Sequence, residues 1–440
     1  MIKVAKFGGT SLFSATQTAK AIDIVMADPA RRYVVVSAPG KRNLGDKKVT
    51  DLLYSLHGSR NDVASAKRIF GAVANRFFLL AVGLGVKLDL DPILEEIWEN
   101  ISGGASADYI ASRGEYLNGL IVAEALRYQF IDAKDIIRFD ESGCYDENAT
   151  RLQAGSLRNL KNAVIPGFYG STSKGAIKTF SRGGSDITGS IIAEAVGADI
   201  YENWTDVNGF LMADPRVVKN PKTIRVITYG ELRELAYMGA GVLHDEAIFP
   251  VRKVGIPINI RNTNNPKGAG TMIVPDCYTK KKESGTIVGI AGRKNFTIIT
   301  LAKARMNQEV GFVRKLSSVL ENHAVSFEHM PSGIDTISII IDDKQLDGKT
   351  NLVVSEIKKE CCPESILVER GLAMVCVVGR AMAHTIGVAA KLFGSLAKAG
   401  VNIRTIDQGA SEKSIVFGVS SSDYEKAVLA AYEAFVGEAK

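Results

Sequence analysis

Three glycine-bearing clusters in the first half of the chain join backbone freedom to a charged side chain. They are Lys6-Phe7-Gly8-Gly9-Thr10-Ser11, Ser181-Arg182-Gly183-Gly184-Ser185-Asp186 and Thr205-Asp206-Val207-Asn208-Gly209. Glycines just after a strand let backbone N–H groups approach phosphate oxygens, and a helix that starts there adds its positive end. Lys6, at a strand end, is placed to neutralise a transferring phosphoryl group. None of the three is a P-loop: the nearest stretch, Gly167 to Lys174, lacks the glycine before the lysine, and no dinucleotide fingerprint occurs. One glycine pair alone is more often an ordinary turn. Three at strand–helix junctions, each beside Lys, Arg or Asp, favour a phosphate site.

The elements that must carry these clusters are legible from hydrophobic period. Residues 2–8 read as a strand ending at the glycine pair. Ser14 to Gln17 has capping-box spacing, with Ala19, Ile22, Val25 and Met26 at helical intervals behind it. Tyr33 to Val36 is continuously apolar, as a strand covered on both faces is. Further strands are expected at 163–165 and 199–201, with helices near 108–128 and 185–196. Alternating strands and helices with buried strands predict an α/β domain built on a mainly parallel sheet. Residues 60–100 are helix-like and read as an insertion or a lid, without deciding which.

Composition narrows the function classes. The 440 residues are 46% hydrophobic and 23% charged, the balance of a soluble globular protein of two or three domains. The net charge of +6 is spread over the chain without a basic tract, which argues against nucleic-acid binding. Five cysteines, Cys144, Cys277, Cys361, Cys362 and Cys376, form no C-x-x-C pair and the five histidines lack ligand spacing, so neither a disulfide framework nor a protein-held metal is expected. A reducing cytoplasm fits best, and no apolar run reaches membrane-spanning length.

Behind a Lys-rich segment near 275–285, marked by Pro275 and Lys280-Lys281-Lys282-Glu283, the tail repeats itself. Adding 76 maps Met306 onto Met382, Gly311 onto Gly387, Lys315-Leu316 onto Lys391-Leu392 and Leu320 onto Leu396. The register continues through Val325 and Val401, Gly333 and Gly409, and Ser338-Ile339 and Ser414-Ile415. Each copy reads strand, helix, strand, strand, so two small βαββ-type modules are expected.

Lys6 to Ser11 closely resembles the opening motif of aspartokinases, within the amino-acid kinase superfamily. Arg182 to Asp186, and Trp204 to Gly209 through Asp214-Pro215-Arg216, resemble later motifs of that family. Val401-Asn402-Ile403 and Gln408 to Glu412 resemble the second of two ACT modules. The resemblance covers essentially the whole chain in order. It implies an amino-acid-kinase-type three-layer α/β sandwich with a mainly parallel sheet at residues 1–283. Two ferredoxin-like βαββαβ (ACT) modules would follow at 295–370 and 371–440, with the terminal strands as candidates to complete the first by crossover.

The implied reaction is ATP-dependent phosphorylation of the L-aspartate β-carboxylate to 4-phospho-L-aspartate, the entry step to lysine, threonine and methionine biosynthesis. That carboxylate has an unperturbed pKa of about 3.9 and needs no general base, so positioning and charge neutralisation dominate. By resemblance Lys6 and Asp186 are catalytic, and Ser37, Thr50, Glu115, Arg182 and Ser185 bind aspartate. Lys6, Phe7, Gly8, Gly9, Thr205, Asp206, Leu211 and Arg216 face ATP, and Mg²⁺ is held mainly by nucleotide and water. Many relatives carry a lysine where this chain has Gly241, so that cation is missing here. Met306, Ser326, Phe327 and Glu328 fall where an amino-acid effector would contact the first module, lysine foremost and threonine second, in a homodimer or homotetramer formed through the ACT modules. Other superfamily kinases and a non-catalytic amino-acid sensor are the alternatives. The tail and the Glu115 context oppose the first, and intact Lys6, Arg182 and Asp186 the second. A fusion to homoserine dehydrogenase is disfavoured because the sequence stops after the second module.

Overall fold

The apolar N-terminal strand lies in the middle of a sheet. The computed structural model describes residues 1–181, 183–240, 245–277, 285–409 and 413–437. In chain order the first elements are β1 (Lys3–Phe7), α1 (Ala15–Met26), β2 (Arg31–Val36), α2 (Val49–Gly58), α3 (Val63–Leu84), α4 (Asp91–Ser102) and α5 (Ala107–Leu126). Then come β3 (Gln129–Phe130), α6 (Ala133–Ile136), β4 (Arg138–Phe139), α7 (Glu147–Ala154), β5 (Ala163–Pro166), β6 (Tyr169–Thr172) and β7 (Ile177–Thr179). The unit is completed by α8 (Gly184–Val196), β8 (Ile200–Thr205), β9 (Val226–Thr228), α9 (Tyr229–Tyr237), α10 (Asp245–Val254), β10 (Ile258–Asn262) and β11 (Thr271–Val274). The chain divides into two units. One holds Met1–Phe210, Thr223–Tyr229 and Gly241–Lys280, and the other Leu211–Lys222, Gly230–Ala240 and Lys281–Lys440, so most of α9 falls to the second.

In the first unit eight strands run in the order β3-β5-β2-β1-β8-β10-β11-β9. Neighbours pair in parallel except β10 and β11. Tyr33, Val34, Val35 and Val36 are fully buried, as their continuous apolar run requires. Helices α1 and α5 cover one face, where Ala21, Ile24, Val25, Val122 and Leu126 pack on Ala5, Phe7, Val34 and Trp204. Helix α8 covers the other face, close enough that a Cβ on Gly189 would collide with the Tyr201 ring. The result is the expected three-layer sandwich.

One local reading needs correction, at α1. The Ser14 side chain does cap α1 by accepting from the Gln17 N–H at 3.3 Å, but the Gln17 amide turns away to Asn264, so the reciprocal half of the box is absent. The buried stripe of α1 is Thr18, Ala21, Ile24 and Val25, whereas Met26 is exposed. A buried threonine in the stripe shifted the apparent face by one position. Residues 60–100 form helices α3 and α4, whose Val73, Phe77, Leu80, Leu94 and Ile97 bury against Leu53 and Leu56 of α2 and Leu117 and Ile121 of α5. They are a packed outer layer with a core of their own.

The second unit contains β12 (Gly289–Ala302), α11 (Phe312–Asn322), β13 (Thr336–Asp342), α12 (Thr350–Cys361), β14 (Ser365–Val378), α13 (Val388–Lys398), β15 (Ile403–Asp407), β16 (Ser414–Ser420) and α14 (Tyr424–Val436). Its sheet is antiparallel, in the order β13-β12-β14-β16-β15. The 76-residue repeat is visible in it. Gly311 and Gly387 both sit at positive φ, +84° and +86°, as the residues before α11 and α13. Leu316 and Leu392 are both fully buried, each in its own core. Strands β12 and β14 are 14 residues long and run through both halves, so residues 370 and 371 lie within one strand. In the first half the strand expected after the helix is reduced to isolated bridges at His329 and Ser332, while its counterpart is a full β15. The Lys280–Glu283 run and Ala410 to Glu412 lie outside the described residues.

Candidate active site

In parallel α/β sheets ligands gather where neighbouring strands come from distant parts of the chain, beyond their C-terminal ends. Strands β1 and β8 form such a junction, with Lys6 opposite Asn203. Parallel neighbours point the same way, so both side chains rise toward α8, and both meet Asp186 in its first turn. Lys6 Nζ lies 2.6 Å from Asp186 Oδ1, and Asn203 Nδ2 donates to the same oxygen at 2.7 Å. Lys6 is 6% exposed, so its ammonium is fixed by a carboxylate in a largely desolvated place. The Tyr201 hydroxyl donates to the Asp186 carbonyl at 3.1 Å and secures the same turn.

The backbone after Lys6 is a tight glycine turn, with the Gly8 N–H donating to the Trp204 carbonyl at 3.1 Å. After Phe7 the chain enters a single 3-10 turn at Gly9–Ser11. A Cβ on Gly9 would lie 2.9 Å from the Ala38 carbonyl oxygen, and one on Gly40 would lie 2.7 Å from the Gly9 carbonyl oxygen. Only glycine lets these two turns touch, and the Gly40 N–H donates to the Gly9 carbonyl across the contact. Gly183, at φ +59°, starts α8 and aims the positive end of that 13-residue helix toward Lys6 and Asp186. Ser185, in the same first turn, is buried beneath Gly167, where a Cβ would lie 2.7 Å from the Ser185 Cβ. Arg182, the residue before this turn, lies outside the described residues, as does Gly241.

Helix α5 brings a buried carboxylate to the turn after β2. Glu115 of α5 is 4% exposed, and its Oε2 has no hydrogen-bond partner. Asn118, one turn along the same face, donates from Nδ2 to the Ser37 carbonyl at 2.6 Å and leaves Oδ1 buried and unpartnered. Glu115 Oε2 and Asn118 Oδ1 are thus two buried oxygens without a partner, three residues apart on one helix. Burial pushes the Glu115 carboxyl up to about 8, against the opposing effects of the Ala38 N–H and the Arg113 guanidinium. That guanidinium is itself buried among the rings of Tyr109, Tyr116 and Tyr169, at 4.5, 4.4 and 5.5 Å. Ser37 comes directly after β2 and its N–H donates to the Phe7 carbonyl, which ties it to the glycine turn. Thr50 lies in the first turn of α2, half-buried.

The first unit therefore brings together Lys6, Gly8, Gly9, Ser185 and Asp186 on one side and Ser37 and Glu115 on the other. Phe7 faces away, stacked on Trp204 within the α1 layer, so only its backbone faces the turn. Thr205 and Asp206 stand at the end of β8, with the Thr205 hydroxyl on the Asp206 carboxylate at 3.1 Å. Leu211 and Arg216 belong to the second unit, where the Arg216 guanidinium forks onto Asp214 at 2.6–3.0 Å. Of the effector candidates, Met306 is buried in the core of the first half of that unit, whereas Ser326 and Phe327 are exposed. Glu328 pairs with Arg293 at 3.2 Å and keeps a buried Oε2 without a partner. Sequence reading missed Asn203 and Asn118. An asparagine near the end of a buried strand, and another three residues after a buried glutamate, were the available signals.

Residues 1–262 match the model of the amino acid kinase family and residues 375–435 that of an ACT domain. The chain is 39% identical to aspartokinase 3 of Bacillus subtilis, over 99% of this chain and 98% of that protein. It is 30% identical to the lysine-sensitive aspartokinase 3 of Escherichia coli, over 97% of each. Among solved structures, the aspartate kinase of Clostridium acetobutylicum, an allosteric enzyme, superposes with a TM-score of 0.93 at 53% identity, covering 99% of this chain and all of that one. E. coli aspartokinase III bound to aspartate and ADP, in its R-state, superposes at 0.71 with 28% identity over 99% of each chain. The same protein bound to lysine and aspartate, in its T-state, superposes at 0.73 with 28% identity over 99% of each chain. A lysine pinned to a helix-end carboxylate, a tight glycine turn beside it and two buried unpartnered acceptors thus stand in a chain that belongs to the aspartokinase family.

Proposed function

We propose that the site phosphorylates L-aspartate with ATP, and that the second unit makes the reaction responsive to lysine. The orphaned acceptor pair, Glu115 Oε2 and Asn118 Oδ1, carries the reading: an α-ammonium is the guest that supplies several donors to a buried carboxylate. Arg182 suits the α-carboxylate as a bidentate partner, with Ser37, Thr50 and Ser185 lining the remainder. The substrate's β-carboxylate is then directed at the γ-phosphorus. Its oxygen forms the new P–O bond as the bond to the ADP oxygen breaks, and no proton moves. Lys6 neutralises charge on the transferring group, Asp186 and Asn203 hold Lys6 in place, and Gly9 and the α8 terminus offer N–H groups, the Gly8 N–H being held by the Trp204 carbonyl at 3.1 Å. Thr205 and Asp206, at the end of β8, are assigned to the nucleotide.

Among the described residues no three His, Cys, Asp or Glu side chains gather to hold a metal. Asp186 is the one carboxylate beside Lys6 in the described site, and its Oδ1 is already engaged. Asp186 would be the protein residue to help hold a Mg²⁺ carried in on phosphate oxygens. Such an ion would neutralise phosphate charge. We assign residues 1–283 to the kinase and 295–370 and 371–440 to the ACT modules. A cytoplasmic homodimer or homotetramer through those modules fits the assignment.

The unpartnered Glu328 oxygen favours an effector with a second ammonium, hence lysine over threonine. Initial rates with aspartate, titrating lysine and threonine separately and together, test this. Lysine alone should inhibit. Inhibition by threonine alone, or by neither, would overturn the assignment.

A further inference from the structure

The short turn after β2 joins the Glu115 side of the proposed site to the α2 terminus and the glycine turn. The Ser37 carbonyl accepts from Asn118, and the Ala38 N–H donates to Glu115. The Pro39 carbonyl accepts from the Val49 N–H at the start of α2, one residue before Thr50. Gly40 N–H donates to the Gly9 carbonyl at 2.9 Å. A displacement of this turn would therefore disturb the ammonium acceptors, the Thr50 helix and the phosphate turn together. Beyond Gly40 the chain enters an exposed, basic loop containing Lys41, Arg42, Lys47 and Lys48, and Leu44 at its tip is fully exposed. A loop of that kind has no core of its own to hold it.

One side chain holds it from outside. Arg76, in the middle of α3, is only 8% exposed although it is an arginine on an outer-layer helix. Its Nη2 donates to the Gly40 carbonyl at 2.6 Å and its Nη1 to the Lys47 carbonyl at 2.7 Å, so one guanidinium grips both ends of the loop. Nη1 also lies 3.4 Å from Asp46 Oδ2, and Asp46 in turn accepts from Arg42 within the loop. The planar fork presents donors from two separated nitrogens and so spans two carbonyls and a carboxylate, a reach that the single nitrogen of an ammonium lacks. Helix α3 is anchored by Val73, Phe77 and Leu80, so the grip is made from a fixed element.

We propose that Arg76 is a positioning residue for phosphoryl transfer: from α3 it clasps Gly40 and Lys47 and so sets the turn on which both substrates depend. The inference rests on the aspartate-kinase reading of the site, and it gives the α3–α4 layer a role in the reaction. The test uses the full chain with wild type alongside, measuring initial rates for aspartate and ATP and trypsin cleavage at the basic loop. In Arg76→Ala the aspartate KM should rise about tenfold or more with a fall in kcat, since sub-ångström errors in positioning are costly. Trypsin should cut the loop faster, aspartate should slow that cutting, and millimolar guanidinium should restore part of the activity. Should Arg76→Ala fail to fold, Arg76→Lys carries the test, because it keeps the charge but reaches one carbonyl at a time and should show the same rise in KM. A folded variant with wild-type KM and kcat, altered only in melting temperature, would overturn the proposal. Failure of wild type itself to make acyl phosphate would instead overturn the reading of the site.

Discussion

Glu115 offers a test whose size is set by its surroundings. The ammonium of aspartate needs this carboxylate ionised, yet burial holds its proton on to about 8. At pH 7 about one site in ten is then competent, so apparent aspartate affinity is reduced about tenfold, or about 1.4 kcal/mol. Between pH 6 and pH 8 the ionised fraction climbs about fiftyfold, and kcat/KM for aspartate should climb with it while the KM for ATP moves little. Glu115→Gln removes the titration and a charged hydrogen bond. Its kcat/KM should be flat with pH and lower at pH 8 by about ten- to a hundredfold. The same shift acts on stability. Below its ordinary value of 4.5 the group is protonated in folded and unfolded chains alike, and from there to about 8 only the unfolded chain releases the proton. Stability from this group therefore falls as pH rises through that window, by at most about 1.4 kcal/mol per pH unit. Glu115→Gln should melt higher than wild type at pH 8 and with it at pH 4.5, by calorimetry without substrate. A wild-type profile flat from pH 6 to 8, or a Glu115→Gln profile that still rises, would refute the reasoning.

Lys6→Ala should lower kcat by about a hundred- to a thousandfold, as loss of one preorganised charge does, while calorimetry still detects effector binding in the second unit. Gly9→Ala forces a Cβ to 2.9 Å from the Ala38 carbonyl oxygen, so urea denaturation should show a loss of about 1–3 kcal/mol, and the KM for ATP should rise. Glu328→Gln should weaken inhibition by lysine about tenfold or more with the uninhibited rate unchanged, measured from inhibition curves at fixed aspartate.

Much of this site is local in sequence, which is why it could be read there. A strand ending in a glycine pair and an aspartate in a first helical turn announce themselves within six residues, whereas Glu115 rests on the family resemblance, since a glutamate on a long helix reads by itself as a solvated charge. The repeat in the tail was equally plain, because Gly311 and Gly387 impose the same left-handed turn before α11 and α13. What escaped depended on partners far away. Asn203 matters only because α8 brings Asp186 over it, and Asn118 only because β2 delivers the Ser37 carbonyl. Nothing in the sequence around Arg76 foretold the carbonyls of Gly40 and Lys47. The division of the tail was hidden for a different reason: β12 and β14 are shared by both halves, and hydrophobic period does not mark where one half ends.

The central claim is that the acceptor pair at Glu115 and the phosphate turn at Lys6 form one site for aspartate and ATP. Purified protein with ATP, Mg²⁺ and L-aspartate in the presence of hydroxylamine measures it directly. Aspartyl hydroxamate should form in step with ADP, and none should form with D-aspartate, L-glutamate or N-acetyl-L-glutamate in its place. ADP release without hydroxamate, or hydroxamate formed as readily from N-acetyl-L-glutamate, which has no ammonium to offer Glu115, would contradict it.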